Sequence, residues 1–306
     1  MWQLISGILL GGTLGANDSA NIFGTAVSTR SIKFETAVAL TSAFVVIGAA
    51  LEGTGGIHTL GSLAEQTLMS AFLTSLAAAF TVALMTFLGL PISTSQAVVG
   101  AIIGAGILKG NIHFAPLIPI VIAWITTPLG AALISYLTYK LYIKFLDPKI
   151  NSIGEIDYFV RAGLIIAGIY GAYSLGANNV ANVMGVYVQA DLFTPAMGGL
   201  IGGMSIGLGV IYSRRVMRTV GSKITRLTPL TALIAVLAHS ITLYIYAKIG
   251  IPVSSSQAIV GGVIGVGLVK NANMLDQETI KNILFGWLGT PTVAAVLGII
   301  LSLIFL

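Results

Sequence analysis

The segment GLPISTSQAVVGAIIGAGILKG, residues 89–110, recurs as GIPVSSSQAIVGGVIGVGLVKN at residues 250–271. The two copies are 161 residues apart, and 12 of their 22 positions are identical. Most of the remaining positions exchange one residue for a similar one, such as Ile92 for Val253. A match of this length at one fixed offset indicates an internal repeat, and the repeat constrains the whole fold.

Two further motifs extend the repeat toward both ends of the chain. GANDSAN at residues 15–21 recurs as GANNVAN at residues 176–182, again at an offset of 161. A weaker pair, WITTP at 124–128 and WLGTP at 287–291, has an offset of 163, which indicates a small insertion. The sequence therefore predicts two homologous halves, residues 1–150 and 151–306, joined by a polar linker around 147–158.

The composition places these halves in a membrane. Of the 306 residues, 56% are hydrophobic and 8% are charged, whereas soluble domains carry about 25% charged residues. Five apolar segments of the first half approach or exceed the length that crosses a bilayer: 1–29, 36–51, 67–88, 91–108 and 114–143. No basic residue precedes the first segment, which favours a first span over a cleaved signal peptide. We expect an all-α polytopic membrane protein with two repeats of about five to six segments each, and about ten crossings in total.

Loop charges predict that the two repeats have opposite orientations. Residues 214–226 hold five basic residues and no acid, which predicts a cytoplasmic loop. The equivalent stretch, 53–65, has no basic residue, which predicts an external loop. Arg30 and Lys33 lie in a loop whose counterpart carries only Asp191. With Lys144 and Arg161, the linker 144–161 is also predicted to be cytoplasmic. Inverted repeats with broken or re-entrant helices at the substrate site are common in secondary transporters.

The GANDSAN and GANNVAN motifs carry polar side chains in otherwise apolar segments. In a helix the spacings i,i+3 and i,i+4 place their oxygens on one face, and carboxylate and amide oxygens suit a hard cation such as Na⁺. The candidate sodium ligands are Asp18, Asn21, Asn178 and Asn182. Asn17, Asn179 and Glu52 rank lower. The alternative is that the asparagines only join helices by hydrogen bonds. The position equivalent to Asp18 in the second half is Asn179, so the two motifs differ in charge at this position.

The Ser-rich motifs have the composition of an anion site. Pro91 and Pro252 fit the first turn of a new helix, and free N–H groups at a helix N-terminus attract anions. The candidate phosphate ligands are Ser93, Thr94, Ser95, Gln96, Ser254, Ser255, Ser256 and Gln257. The alternative is that these residues only cap the helices. The glycines that follow, Gly100, Gly104, Gly106, Gly261, Gly265 and Gly267, have the spacing of closely packed helices.

The paired motifs, in this order and over essentially the whole chain, resemble the inorganic phosphate transporter family often called PiT. The resemblance implies symport of inorganic phosphate with Na⁺ or H⁺ by an inverted-repeat homodimer. It also implies that Asp18, Asn21, Asn178 and Asn182 bind Na⁺, that Thr94, Ser95, Ser255 and Ser256 bind phosphate, and that Gln96 and Gln257 lie between the two sets and serve both. Many relatives carry Thr-His where this chain has Ser-Gln, so the motif offers no imidazole. We therefore expect Na⁺ rather than H⁺ coupling.

Other chemistry is not indicated. His239 is alone in an apolar span and is interpreted as a hydrogen-bonded core residue, while His58 and His113 are expected in loops. The sequence contains no cysteine, no Ser-His-Asp set and no nucleotide-binding loop. We therefore expect no enzymatic activity, no organic cofactor and no nucleic-acid partner. The sequence predicts a secondary active transporter that imports inorganic phosphate with Na⁺ by alternating access. A proton-coupled symporter and a passive anion channel with re-entrant half-helices remain alternatives, and spacing alone leaves sulfate and arsenate open.

Overall fold

The structure, a computed structural model, describes residues 1–87, 92–149, 153–217, 227–269 and 277–306. Within these ranges the regular secondary structure is helical apart from an isolated bridge between Ala64 and Ile112. The first half contains α1 (Leu4–Asp18), α2 (Ala20–Ser28), α3 (Phe34–Glu52), α4 (Thr54–Gly61), α5 (Leu68–Phe87), α6 (Thr94–Lys109) and α7 (Leu117–Phe145). The second contains α8 (Ile153–Gln189), α9 (Pro195–Gly209), α10 (Pro229–Ile249), α11 (Ser255–Val269) and α12 (Gln277–Phe305). The all-helical prediction is confirmed.

Seven of the described helices are long and apolar enough to cross a bilayer: α3, α5, α7, α8, α9 with the 3₁₀ turn that follows it, α10 and α12. Helices α6 and α11 have 16 and 15 residues, about 24 Å at 1.5 Å per residue. That is shorter than a hydrocarbon core of about 30 Å. Within the described residues, these two helices are therefore too short to cross a bilayer on their own, which fits the expectation of broken or re-entrant helices after the Ser-rich motifs.

The first segment is interrupted within its motif. The sequence predicts one segment over residues 1–29, but α1 ends at Asp18 and α2 begins at Ala20. The backbone of Ser19 keeps right-handed helical torsions, and its carbonyl accepts from the N–H groups of Ile22 and Phe23. The interruption is therefore one residue wide. The equivalent part of α8 is continuous, so the halves differ beside Asp18.

Two predicted loops contain helix. Residues 53–65 include α4, so His58 lies on a helix. The glycines of α4 allow close packing, since a Cβ on Gly56 would lie 2.9 Å from Ala181 Cβ. Much of the predicted linker 144–161 belongs to α8, whose 37 residues span about 55 Å. Of the five basic residues in 214–226, Arg218, Lys223 and Arg226 lie outside the described residues.

The equivalent helices α3 and α9 run antiparallel. Along α3 and α9, Arg214 beyond the end of α9 binds Glu35 at the start of α3 at 3.2 Å, and Ser42 Oγ donates to the Gly207 carbonyl at 2.7 Å. A Cβ on Gly199 would meet Ala49, near the other end of α3. Antiparallel equivalents are what an inverted repeat requires. The orientation relative to the membrane remains a prediction.

The contacts between helices are exchanged between the halves. A Cβ on Gly15 would collide with the Ile206 carbonyl, and a Cβ on Gly176 would collide with the Val45 carbonyl. Gly15 is equivalent to Gly176, and Val45 is equivalent to Ile206, at the repeat offset of 161 residues. The two contacts are therefore the same contact with the halves exchanged. This exchange of contacts at the GANDSAN and GANNVAN motifs is consistent with the predicted inverted repeat.

Each half-helix packs against the last long helix of the other half. A Cβ on Gly100 or Gly104 in α6 would strike the backbone of Pro291 or Ala295 in α12, and a Cβ on Gly261 or Gly265 in α11 would strike the backbone of Pro128 or Ala132 in α7. Backbones approach this closely only where the residue has no side chain. The predicted packing role is confirmed for these four glycines.

The distribution of polarity is the reverse of that in a soluble protein. The outer faces of α7 and α12 expose large apolar side chains, among them Ile122, Ile125, Leu129, Leu288 and Leu303. The serines, asparagines and glutamines of the duplicated motifs are buried instead. Apolar outer faces suit lipid contact, and the polar interior must satisfy itself or hold ligands.

Candidate functional site

The polar side chains of the four duplicated motifs meet at the centre of the structure, each at most 4% exposed. The set consists of Asn17, Asp18, Ser19, Asn21, Ser93, Thr94, Ser95, Gln96, Asn178, Asn179, Asn182, Ser254, Ser255, Ser256 and Gln257. Buried polar groups require partners. Some of these side chains use their polar atoms in hydrogen bonds within the site, and others have oxygens that accept no hydrogen bond from the described residues.

The two half-helices begin with the same hydrogen-bonded cap. Ser93 Oγ accepts from the Gln96 N–H at 3.2 Å and lies 3.2 Å from Ser95 Oγ. In the second half, Ser254 Oγ accepts from the Gln257 N–H at 3.2 Å and lies 3.0 Å from Ser256 Oγ. Ser93 and Ser254 therefore cap the two helices. The hydroxyls of Thr94 and Ser255 take no part in these caps and can bind other groups.

The half-helix starts touch across the boundary between the halves. Ser256 Oγ donates to the Ile92 carbonyl at 2.7 Å, which joins the start of α11 to the residue preceding the α6 cap. The first N–H groups of both helices therefore lie near one central point, and such groups have no partner within their own helix. This arrangement places two positive helix ends together.

One turn at the α1–α2 interruption contacts both half-helix starts. Thr94 Oγ1 donates to Asp18 Oδ1 at 3.5 Å, and three residues later Asn21 Nδ2 donates to Ser255 Oγ at 3.1 Å. The i,i+3 spacing that the sequence suggested places both side chains on one face, as expected. The acidic motif and the hydroxyl motifs therefore belong to a single site.

Several buried amide oxygens at this site accept no hydrogen bond from the described part of the chain. They are Asn21 Oδ1, Gln96 Oε1, Asn182 Oδ1 and Gln257 Oε1. An unpaired buried acceptor costs free energy, and a hard cation compensates such oxygens together with a carboxylate. Asp18 and these amides therefore offer oxygens of the kind that a hard cation binds.

Asn178 holds the backbone that leads into α11, and its role as a sodium ligand stays a prediction. Its Nδ2 donates to the Ile251 carbonyl at 3.0 Å, and its Oδ1 accepts from the Val253 N–H at 2.8 Å. Both ends of the amide therefore hold the backbone that leads into α11. Asn178 therefore positions the half-helix, and its Oδ1 keeps a second lone pair. Asn182 Nδ2 donates to Asn179 Oδ1 at 2.8 Å, and Asn182 Oδ1 accepts no hydrogen bond from the described residues.

Asn178→Ala is expected to destabilise the protein by about 2–4 kcal/mol, because two buried backbone groups lose their partners. Thermal unfolding in detergent measures the change. The matched control is Ser174→Ala, one turn earlier on α8, whose hydroxyl only returns to the Tyr170 carbonyl. Equal unfolding midpoints for the two variants would show that Asn178 does not hold this segment.

The lower-ranked candidates have partners away from the half-helix starts. Asn17 Nδ2 donates to Thr86 Oγ1 at 3.0 Å, toward α5. Glu52 Oε2 lies 3.0 Å from Lys248 Nζ, and Glu52 Oε1 accepts from Tyr244 Oη at 3.4 Å. The charge of Glu52 is therefore already balanced, and we leave it out of the sodium set proposed below.

His239 was not among the predicted site residues, yet the structure places it at the site. Its side chain on α10 is fully buried, and Nε2 lies 2.9 Å from Ser255 Oγ. The motif itself offers no imidazole, as stated above, but tertiary packing brings one to it from a different helix. The available signal was an ionisable residue within an apolar span, which is functional by default.

Comparison with known proteins identifies the family. The phosphate transporter family matches residues 14–154 and again residues 147–298. The chain belongs to the phosphate transporter family. It is similar to "Putative phosphate permease MJ0630" of Methanocaldococcus jannaschii, with 32% identity over 98% of this chain and 96% of that protein. It is also similar to "Sulfate permease CysP" of Bacillus subtilis, with 31% identity over 96% of this chain and 84% of that protein.

A solved structure supports the fold. "The sodium-dependent phosphate transporter" superposes with a TM-score of 0.87 and covers 99% of both chains, at 22% identity. The family and the apolar helices together make this chain a multi-pass membrane protein and a transporter rather than an enzyme.

Proposed function

We propose that the chain imports inorganic phosphate by symport with Na⁺. One observation carries the proposal: Asp18 and Asn21, on one helical turn, each bind the hydroxyl of a different half-helix start. A cation held by the carboxylate and the free amide oxygens therefore lies beside the hydroxyls and N–H groups that suit an anion. The site couples the two ligands because they share its side chains.

The anion side of the site is electrically neutral. None of the three ion pairs in the described part of the chain involves a residue of the half-helix starts. Ser255, Gln96 and Gln257 offer dipoles, and the helix N-termini add partial positive charge. Bound Na⁺ then supplies the full charge that offsets the phosphate, so each ligand strengthens the binding of the other.

The exchanged packing suits alternating access. Each half-helix rests on a long helix of the opposite half through glycine contacts, so a movement of one half against the other re-exposes the same central site. We propose the halves 1–150 and 151–306 as the moving units. We also propose that the chain works as a homodimer, and that 144–161 and 214–226 lie in the cytoplasm. The bond between Arg214 and Glu35 supports this sidedness, because it brings together two loops that charge assigns to one side.

Coupling to sodium supplies enough energy for concentration of phosphate. A tenfold Na⁺ gradient gives about 1.4 kcal/mol per ion, and one net charge at 100 mV adds about 2.3 kcal/mol. Two Na⁺ with one H₂PO₄⁻ therefore provide about 5 kcal/mol, which corresponds to more than a thousandfold accumulation.

Sulfate is a second candidate substrate. The similarity to a protein named as a sulfate permease favours it. Hydroxyl and amide groups can donate hydrogen bonds to the oxygens of either tetrahedral anion. His239 also removes the sequence argument against proton coupling. The case for sodium now rests on the carboxylate and free amide oxygens.

Uptake of labelled phosphate by purified protein in liposomes tests the proposal. With Na⁺ and pH gradients imposed separately, we expect accumulation above equilibrium on the Na⁺ gradient alone. Excess unlabelled sulfate is expected to compete weakly. Accumulation of phosphate only on the pH gradient would show that protons, not Na⁺, are the coupling ion. Phosphate uptake that never exceeds the equilibrium concentration would indicate a channel. If unlabelled sulfate inhibits the uptake more strongly than unlabelled phosphate does, sulfate is the preferred substrate.

A further inference from the structure

The two halves treat one equivalent hydroxyl in opposite ways. Thr94 and Ser255 occupy the same position at the half-helix starts, and both are buried. Thr94 is bound by Asp18, whereas Ser255 lies against His239. At the positions equivalent to these two ionisable residues, the chain has Asn179 and the buried Ala78. The first half thus supplies an acid and the second half an imidazole.

The neighbours of Ser255 fix the direction of its hydrogen. A hydroxyl has one hydrogen to donate and two lone pairs that accept. Asn21 Nδ2 donates to Ser255 Oγ at 3.1 Å, and His239 Nε2 lies 2.9 Å from the same oxygen. If Nε2 carries the ring proton, both lone pairs are filled and the Ser255 hydrogen must point to a third group.

The surroundings of His239 favour that tautomer. His239 Nδ1 is buried and has no hydrogen-bond partner in the ranges that the structure describes. A ring proton on Nδ1 would be an unpaired buried donor, whereas a proton on Nε2 is bonded to Ser255. The hydrogen-bond network therefore assigns the proton to Nε2.

The hydroxyl of Thr94 is used in the opposite way to that of Ser255. Its hydroxyl hydrogen is directed to Asp18 Oδ1, and an ionised carboxylate can only accept. The lone pairs of Thr94 are consequently left for other groups. They suit a cation, while the hydrogen of Ser255 suits an anion oxygen.

We propose that His239 is a positioning residue that makes Ser255 the hydroxyl that donates to the bound anion, while Asp18 holds Thr94 to the cation side. The inference rests on the proposed function and deepens it. It explains why two nearly identical motifs bind ligands of opposite charge.

Initial rates of phosphate uptake in proteoliposomes test the inference. His239→Leu removes the donor at similar size, and we expect the KM for phosphate to rise about ten- to a hundredfold, as for a lost hydrogen bond to a charged group. The half-saturating Na⁺ concentration should stay within about twofold. Ser255→Ala should give the same change, and the double variant no further rise, because the two residues act as one unit. His239→Gln keeps an N–H donor and should restore the KM to within about threefold of wild type.

The matched control is Ser240→Ala, since the hydroxyl of the neighbouring Ser240 binds only the carbonyls of Ala167 and Val236. It should leave the phosphate KM unchanged. Additive effects of His239→Leu and Ser255→Ala, or a change in Na⁺ dependence instead of the phosphate KM, would overturn the inference. If His239→Leu does not fold, an unchanged phosphate KM in Ser255→Ala overturns it. Absence of phosphate uptake by the wild-type protein would refute the proposed function instead.

Discussion

Asp18→Asn is expected to abolish Na⁺-dependent phosphate uptake, with a loss of at least about a hundredfold in the initial rate. Asp18 provides the carboxylate among the site residues described above, and its attraction for a cation is strong in a buried site where water does not screen it. The substitution also makes the first motif match Asn179 of the second half at this position. Initial rates of labelled phosphate uptake at increasing Na⁺ concentrations measure the effect.

Asp157→Asn is the matched control for charge. Asp157 is exposed and pairs with Arg161 one turn away, and such surface pairs contribute little. We expect wild-type uptake for this variant. Uptake by Asp18→Asn with an unchanged Na⁺ dependence would remove Asp18 from the mechanism.

Gly176→Ala is expected to destabilise the fold by about 3 kcal/mol or more. The added Cβ would collide with the Val45 carbonyl, and a backbone group in a closely packed helix pair cannot move aside without cost. Gly15→Ala should have a comparable effect through the Ile206 carbonyl, because the two contacts are equivalent. Thermal unfolding in detergent measures both.

The control for this prediction is Gly130→Ala on α7. A Cβ at Gly130 meets nothing within 4 Å, so the change should be neutral or slightly stabilising, as alanine favours a helix over glycine. Wild-type unfolding midpoints for Gly15→Ala and Gly176→Ala would contradict the exchanged packing of the two halves.

Much of the fold follows from the sequence because a long repeat at one offset relates the halves directly. The motif glycines also predict close helix packing, which the contacts of Gly100 and Gly261 confirm. The sequence does not reveal the interruption at Ser19 or helix α4. Loop charge indicates only the side of the membrane, and the close contact of the α4 glycines with α8 is visible only in the tertiary structure.

The candidate site follows a similar division. The hydroxyl and acidic motifs were expected to meet, and the bonds of Asp18 and Asn21 place them together. The role of Asn178 was not predicted, because its partners are backbone groups of a segment more than 70 residues away. His239 was assigned to the core because no local motif surrounds it. Its partner, Ser255, lies on another helix.

Reciprocal coupling of the two fluxes tests symport most directly. Liposomes that contain the purified protein would receive an inward phosphate gradient with equal labelled Na⁺ concentrations on both sides. We predict that labelled Na⁺ accumulates inside while the phosphate gradient lasts, because linked binding sites must couple in both directions. Phosphate entry without any accompanying movement of labelled Na⁺ would contradict the account.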